Sequence, residues 1–297
     1  MNVIEAKPIK DLIPEYFDLM KKGKLNGIST GFEDLDKIIS GWHNSELIII
    51  GSRPAMGKTA FMLSIIKNVA VNSTIPTAVF SLEDSTATFI NKLIANLTEI
   101  NTQSLRTGKL KIQEWYKIEE TIKSLENVPL YIDDTPRLSI QYLCDKAHRL
   151  VSENKVKIIF IDYIQLLSVT GKYTENRYND LNYISRELKG LAKKLNIPII
   201  ATSQLNRNID ERQGYQGKIP TLTDLRDSGT LCDDADIVCF IHRPEYYGIT
   251  EDNLGNSLID IGEIIIAKNR NGVVGDIRLK FISASAKFEN FKKELKK

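Results

Sequence analysis

The stretch Gly51-Ser-Arg-Pro-Ala-Met-Gly57-Lys58-Thr59 carries residue types that bind phosphate. The apolar run Leu47–Ile50 precedes it and a helical pattern follows. A phosphate loop needs this order of strand, loop and helix. Its backbone N–H groups converge on an anion at a helix N-terminus, where the dipole also favours negative charge. On this reading Ser52, Arg53, Pro54, Ala55, Met56, Gly57, Lys58, Thr59 and Ala60 cradle a nucleotide such as ATP. Lys58 reaches the β- and γ-phosphates, and the Thr59 hydroxyl holds Mg²⁺. Ser52 occupies the first glycine position of the strict pattern G-x-x-x-x-G-K-S/T, and a turn that happens to read Gly-Lys-Thr is the plainer alternative.

Two carboxylates extend the constellation. Ile158-Ile-Phe-Ile-Asp162 is an apolar strand ending in an acid, which would stand beside the metal. Alone, such a residue is an ordinary turn acid; with a Gly-Lys-Thr loop about 100 residues upstream, the two together point to nucleotide binding. Val79-Phe-Ser-Leu-Glu83 is a second strand ending in a carboxylate. Hydrolysis needs a group to orient and deprotonate water, and Glu83 fits that role. Spacing leaves Asp84, or a merely solvated loop acid, equally open.

These groups need a scaffold that brings strand ends together. The apolar runs Leu47–Ile50, Thr77–Phe80, Leu130–Ile132, Ile158–Ile161, Ile197–Ala201, Ile237–Ile241 and Ile264–Ala267 are mostly continuous, not alternating. Continuous runs rich in Ile and Val belong to strands buried on both faces, hence to a mostly parallel sheet. Charged, periodic segments such as 58–71 and 183–195 lie between the earlier runs and supply flanking helices, giving an α/β fold. After about Asp236 the spacing shortens, which predicts C-terminal hairpin strands. The polar stretch Leu205–Gly229 reads as a long functional or disordered loop. Residues 1–24 read as an arm whose Ile9, Leu12, Ile13, Phe17 and Met20 form an apolar stripe, with Pro14 starting or kinking its helix.

Composition limits the alternatives. With 42% hydrophobic and 26% charged residues, global disorder is excluded. Forty basic against 38 acidic side chains give a net charge of +2, so any nucleic-acid contact must be local. Cys144, Cys232 and Cys239 match no metal or redox spacing and are expected to be reduced thiols of a cytoplasmic protein. No stretch approaches 18 consecutive apolar residues, so no membrane partner is expected.

Taken in order, the motifs resemble the RecA-like motor domain of DnaB-type replicative helicases. They are ISTGFEDLD (28–36), SRPAMGKT (52–59), FSLED (80–84), LRTGKL (105–110), YIDDTP (131–136) and IIFIDYIQLL (158–167). ATSQLNR (201–207), PTLTDLRDSG (220–229), DADIVCFIHR (234–243) and IIIAKNRNG (264–272) complete the set. The resemblance implies a RecA-like P-loop NTPase core over 25–297, with residues 1–24 as a linker arm packing on a neighbouring subunit. On this resemblance, the family's helical N-terminal domain is not expected among these residues. Asp84 stands where the family commonly has Met, and Asp227 where it commonly has Glu.

The resemblance also implies roles that spacing could not supply. Lys58 and Thr59 bind phosphate and magnesium, Asp162 completes the metal site, and Glu83 activates water. Gln204 senses the γ-phosphate. Lys268 and Arg270 enter the neighbouring subunit's site as trans-acting cations, although Asn271-Gly272 alone would read as a β-turn flanked by bases. Arg226, Asp227, Ser228 and Gly229 contact single-stranded DNA. The basic helix 186–194 either adds to the channel or is a solvated face. The implied function is an ATP-dependent 5′–3′ helicase motor in a homohexamer, with primase and a helicase loader as partners, in the cytoplasm of a bacterium or a phage-infected cell. The rivals are a recombinase-like filament ATPase and a regulatory RecA-fold ATPase without unwinding activity.

Overall fold

Each of the apolar runs becomes a strand of one sheet. In the computed structural model the described residues are 7–21, 27–169, 177–225, 229–252 and 254–291. The strands are β1 (Leu47–Ser52), β2 (Thr77–Ser81), β3 (Leu130–Asp133), β4 (Ile158–Asp162), β5 (Ile199–Gln204), β6 (Ile237–His242), β7 (Ile261–Asn269), β8 (Gly275–Ile282) and β9 (Lys287–Glu289). The helices are α1 (Ile9–Lys21), α2 (Glu33–Ile39), α3 (Lys58–Ile66), α4 (Thr86–Thr98), α5 (Thr102–Thr107), α6 (Ile112–Leu125), α7 (Ile140–Asn154), α8 (Arg177–Leu195), α9 (Gly214–Lys218) and α10 (Gly229–Asp234).

The strand order is β3-β2-β4-β5-β1-β6-β7-β8-β9. Pairing is parallel from β3 to β6 and antiparallel from β6 to β9. This is the RecA-like arrangement expected, with hairpins at the C-terminal edge. All six residues of β1 are buried, yet its side chains divide between two cores. Ile48 and Ile50 join Phe61, Leu63 and Ile66 of α3 on one face. Leu47 and Ile49 join Leu143 of α7 and Ile184 and Leu188 of α8 on the other. Period-2 alternation across a sheet covered on both sides explains why the run reads as unbroken apolar sequence. β8 instead alternates buried and less buried positions, which is the pattern of a strand with one wetter face.

Register delivers the strand ends to one edge. Ser52 stands opposite Gln204, and Ser81 opposite Asp162. The phosphate loop, the two acids and the glutamine therefore emerge on the same side of the sheet.

Two segments differ from expectation. Pro14 is the sixth residue of α1, so it does not start the helix; there it removes the N–H that would bond the Lys10 carbonyl, as a proline that kinks a helix does. Ile9, Leu12, Ile13, Phe17 and Met20 are all exposed. The described residues of Leu205–Gly229 are not a structureless loop. They fold into a 3₁₀ turn (Arg207–Glu211), α9, a second 3₁₀ turn (Leu222–Asp224) and the start of α10. Side-chain caps and ion pairs hold them, and these leave no periodicity to read.

Candidate nucleotide site

The phosphate loop is shaped by two residues in the left-handed region, Ala55 (φ 63°) and Gly57 (φ 95°). Gly57 is the N-cap of α3, and its Phe61 N–H to Gly57 carbonyl bond of 2.8 Å begins the helix. A Cβ at Gly57 would meet the Phe288 ring at 3.0 Å, besides carrying the backbone strain. The loop thus closes tightly at the point where α3 presents its unpaired N–H groups.

Lys58, the first residue of α3, is mostly buried. Its Nζ lies 3.6 Å from Asp162 Oδ1 and 4.0 Å from the centre of the Tyr163 ring. Burial pulls its pKa below the ordinary lysine value, and the charges of Asp162 and Glu83 oppose that fall. Thr59 Oγ1 donates to Asp162 Oδ2 at 2.8 Å. The other carboxylate oxygen of Asp162 accepts from the Thr202 hydroxyl on β5. Asp162 therefore sits between the loop and β5, a buried acid already contacted by two hydroxyls and an ammonium.

A cavity of about 320 Å³ opens above the loop, lined by Ser52, Lys58, Thr59, Glu83, Lys92 and Gln204 among others. Glu83 is thus placed with Lys58 and Thr59. Its backbone N–H and that of Leu82 donate to the Asp162 carbonyl at 3.3 and 2.8 Å, which pins the end of β2 to the end of β4. Asp84, the competing acid, turns its carboxylate to Lys92 at 2.5 Å. On geometry the two acids are no longer equivalent.

Gln204 is fixed by a residue the sequence reading quoted in a motif without assigning it a role. Gln165 Nε2 donates to Ser203 Oγ at 2.9 Å and to the Gln204 carbonyl at 3.2 Å, while its Oε1 accepts from the Gln204 N–H at 3.3 Å. The Gln204 side chain lies between the loop cavity and a second cavity lined by Tyr163, Gln165, Asn206 and Arg207. On the outer wall, Arg243 donates to the Ala55 carbonyl at 3.3 Å, and its guanidinium lies 3.9 Å from the centre of the Phe281 ring. Gln165 and Arg243 both stand inside quoted motifs; only the fold shows what they touch.

Lys268 and Arg270 are elsewhere. Arg270 N–H donates to the Asp236 carbonyl at 2.8 Å, and Asp236 N–H to the Leu47 carbonyl at the start of β1. Lys58 follows the opposite end of β1. The five steps between its six residues, at about 3.3 Å each, put roughly 16 Å between those ends. Neither cation can serve its own subunit's loop. Lys268 Nζ donates to the carbonyls of Cys232, Asp233 and Ala235 at 2.6, 3.1 and 2.7 Å, capping α10. Arg270 remains about half exposed, with one contact to Asp236 at 3.2 Å and one to the Asp233 carbonyl at 2.7 Å. Of the two, Arg270 is the one with a solvent-facing guanidinium.

Helix 186–194 divides as well. Lys189 binds Asp236 at 2.5 Å and the Ser45 carbonyl at 2.9 Å, a structural use. Of the residues expected to contact DNA, Arg226, Asp227 and Ser228 lie outside the described residues, and Gly229 begins α10. Among the described residues, no group of three or more His, Cys, Asp or Glu forms a metal cluster, and no helix is long and apolar enough to cross a membrane. The three cysteines form no disulfide, and burial pushes the Cys239 thiol up to about 12.

Similarity to known proteins covers nearly the whole chain. Residues 27–290 match the family described as "DnaB-like helicase C terminal domain". The replicative DNA helicase DnaB of Geobacillus stearothermophilus is 42% identical over 292 residues, covering 97% of this chain and 63% of that protein. The replicative DNA helicase DnaC of Bacillus subtilis is 40% identical over 297 residues, covering 98% of this chain and 64% of that protein. The chain thus spans somewhat under two thirds of the length of these relatives. A solved ATPase domain superposes with a TM-score of 0.87 at 33% identity, covering 97% of this chain and all of that one. A solved DnaB-like replicative helicase, described with its interactions with primase, gives 0.83 at 32% identity over 98% of this chain and 69% of that one.

Proposed function

The chain belongs to the DnaB-like helicase C-terminal domain family, and on that premise we propose that it is the ATP-hydrolysing motor of a replicative DNA helicase. The observation that carries the reading is the gathering of Lys58, Thr59, Glu83 and Gln204 about one cavity, with Asp162 bonded to Thr59 beneath them. The phosphate loop binds the β- and γ-phosphates through its N–H groups and Lys58. Thr59 and Asp162 are the residues suited to hold Mg²⁺, because a hydroxyl and a buried carboxylate are hard oxygen donors. Magnesium, when bound, neutralises charge on the phosphates.

Glu83 orients the attacking water and accepts its proton as the water oxygen bonds to the γ-phosphorus; the bond to the β–γ bridging oxygen breaks, leaving ADP and phosphate. Gln204 detects whether the γ-phosphate is present. Arg270 of an adjacent copy stabilises the charge that builds on the transferred group, which requires a head-to-tail ring; a homohexamer is the assembly proposed. Arg226, Asp227, Ser228 and Gly229 hold the single strand by its phosphates, and 5′–3′ movement follows from turnover around the ring. Residues 1–24 form the arm that packs on the next subunit, and 25–297 the motor. Primase and a helicase loader are the proposed partners, in the cytoplasm of a bacterium or an infected one.

Unwinding of a forked duplex by the full chain, with ATP hydrolysis stimulated by single-stranded DNA, tests the proposal. Hydrolysis without any strand separation would favour a regulatory ATPase. Open filaments seen by electron microscopy with ATP and DNA, in place of closed rings, would favour a recombinase-like assembly.

A further inference from the structure

Arg53 lies inside the phosphate loop, yet all three of its guanidinium nitrogens contact the segment that follows Gln204. Nη1 donates to the Leu205 carbonyl at 2.8 Å, and Nε and Nη2 donate to the Asp210 carboxylate at 3.1 and 2.6 Å. Arg53 is only 8% exposed. A buried guanidinium is retained only when its partner is well placed, and a forked pair of bonds fixes both distance and angle. Asp210 is held from three further sides. Tyr247 OH donates to Oδ1 at 3.2 Å, Lys218 Nζ donates to its carbonyl at 2.7 Å, and the adjacent Ile209 is fully buried. Hydrogen bonds from Arg53 hold the Asp210 carboxyl below the usual carboxylate range.

The path continues without a gap. Asp210 belongs to the 3₁₀ turn Arg207–Glu211, and Arg212 follows directly. Arg212 grips Asp224 through both terminal nitrogens, Nη1 at 3.1 Å to Oδ2. Asp224 is buried, accepts from the Thr221 N–H at 2.7 Å, and its carbonyl accepts from the Asn206 N–H at 3.0 Å. One residue, Leu225, separates Asp224 from Arg226, the first member of the proposed DNA-contacting set.

We infer that the pairs Arg53–Asp210 and Arg212–Asp224 form a strut that couples occupancy of the phosphate loop to the DNA-contacting segment. The inference rests on the DNA-motor reading above and assigns it a route separate from Gln204. Gln204 responds to the γ-phosphate. The strut responds to the position of the loop itself, which a nucleoside diphosphate also engages through its β-phosphate. Coupling between ADP and DNA is therefore the property the strut controls, and linkage makes it reciprocal.

A fluorescent ADP analogue is titrated into the full chain with and without saturating oligo-dT. In the unsubstituted protein the two affinities differ by about fivefold or more. Asp210→Asn and Arg212→Gln, which break two different ion pairs so that a folding defect in one leaves the other, bring that ratio toward one. The affinities for ADP alone and for oligo-dT alone stay near their unsubstituted values. Asp210→Glu, which keeps the carboxylate, retains most of the ratio, an outcome that loss of packing would not give. A ratio unchanged in both Asp210→Asn and Arg212→Gln overturns the strut and leaves the DNA-motor reading intact. If the unsubstituted chain binds ADP but no oligo-dT, the DNA reading falls and the strut with it.

Discussion

Thr59 Oγ1 donates to Asp162 Oδ2 across 2.8 Å, joining the second residue of α3 to the last residue of β4. The bond shows that a hydroxyl and a carboxylate 103 positions apart meet at one point beside the phosphate loop. That pairing is what a magnesium ion bound with nucleotide would replace, since both oxygens are ligands of the type it prefers. Asp162→Asn keeps the shape and removes the charge. We expect ATP turnover to fall by about 10²–10³-fold. Chelation of magnesium from the unsubstituted protein should abolish turnover to the same end, reversibly on adding it back. Steady-state phosphate release measures both, and turnover by Asp162→Asn at the unsubstituted rate would remove Asp162 from the metal site.

Lys58 sets a pH limit whose direction follows from its surroundings. Burial lowers its pKa, while the negative charges of Asp162 and then Glu83 raise it again. The ammonium is the form that attracts phosphate, so nucleotide affinity should weaken on the alkaline side as Lys58 loses its proton, at a pH below the free lysine value of about 10.4. Removing one of the supporting charges must shift that limb further down. ADP binding by Glu83→Gln as a function of pH should therefore fail at lower pH than in the unsubstituted chain. Lys58→Ala should lose hydrolysis altogether, and a Lys58→Ala protein that turns over normally would remove the phosphate-loop assignment.

Spacing alone leaves Glu83 and Asp84 level, the family resemblance points to Glu83, and the structure separates the two through Lys92. Lys92 holds the Asp84 carboxylate at 2.5 Å, and Glu83 lines the loop cavity. Glu83→Gln should cost about 10²–10⁴ in turnover, the range for loss of a general base, with ATP still bound. Asp84→Asn should leave turnover close to normal. Single-turnover hydrolysis and equilibrium binding of both variants decide the matter; equal losses in the two would return the acids to parity.

How much of this was legible depends on the kind of interaction. The parallel core could be read because Ile48 and Ile50 face one side and Leu47 and Ile49 the other, which forces a continuous apolar run. The phosphate loop could be read because Gly57, Lys58 and Thr59 are contiguous. Arg53–Asp210 and Gln165–Gln204 could not, because their partners lie 157 and 39 residues apart and no local rule connects them. The ordering of 205–225 was hidden for the same reason. Arg212 and Asp224 look like loop charges until the chain folds them together. The use of Lys268 as a cap for α10 was likewise invisible, since three carbonyls leave no mark in a sequence.

The placement of Arg270 yields the prediction that tests assembly itself. Its backbone is bonded beside the start of β1, and the loop it is proposed to serve follows the end of β1. A side chain cannot cross that distance within one subunit, but a head-to-tail neighbour could present it to the loop. Arg270→Ala should then lose most turnover, by about 10³-fold or more, while each subunit still binds ATP. Lys58→Ala is inactive for a different reason, lacking the loop's own cation and keeping Arg270. Mixed in equal amounts and allowed to exchange, the two give about a quarter of interfaces at which an intact loop meets an intact Arg270. Activity should reappear in the mixture, though each protein alone is inactive. If sizing shows that mixed rings have formed and no activity returns, Arg270 does not act across the interface.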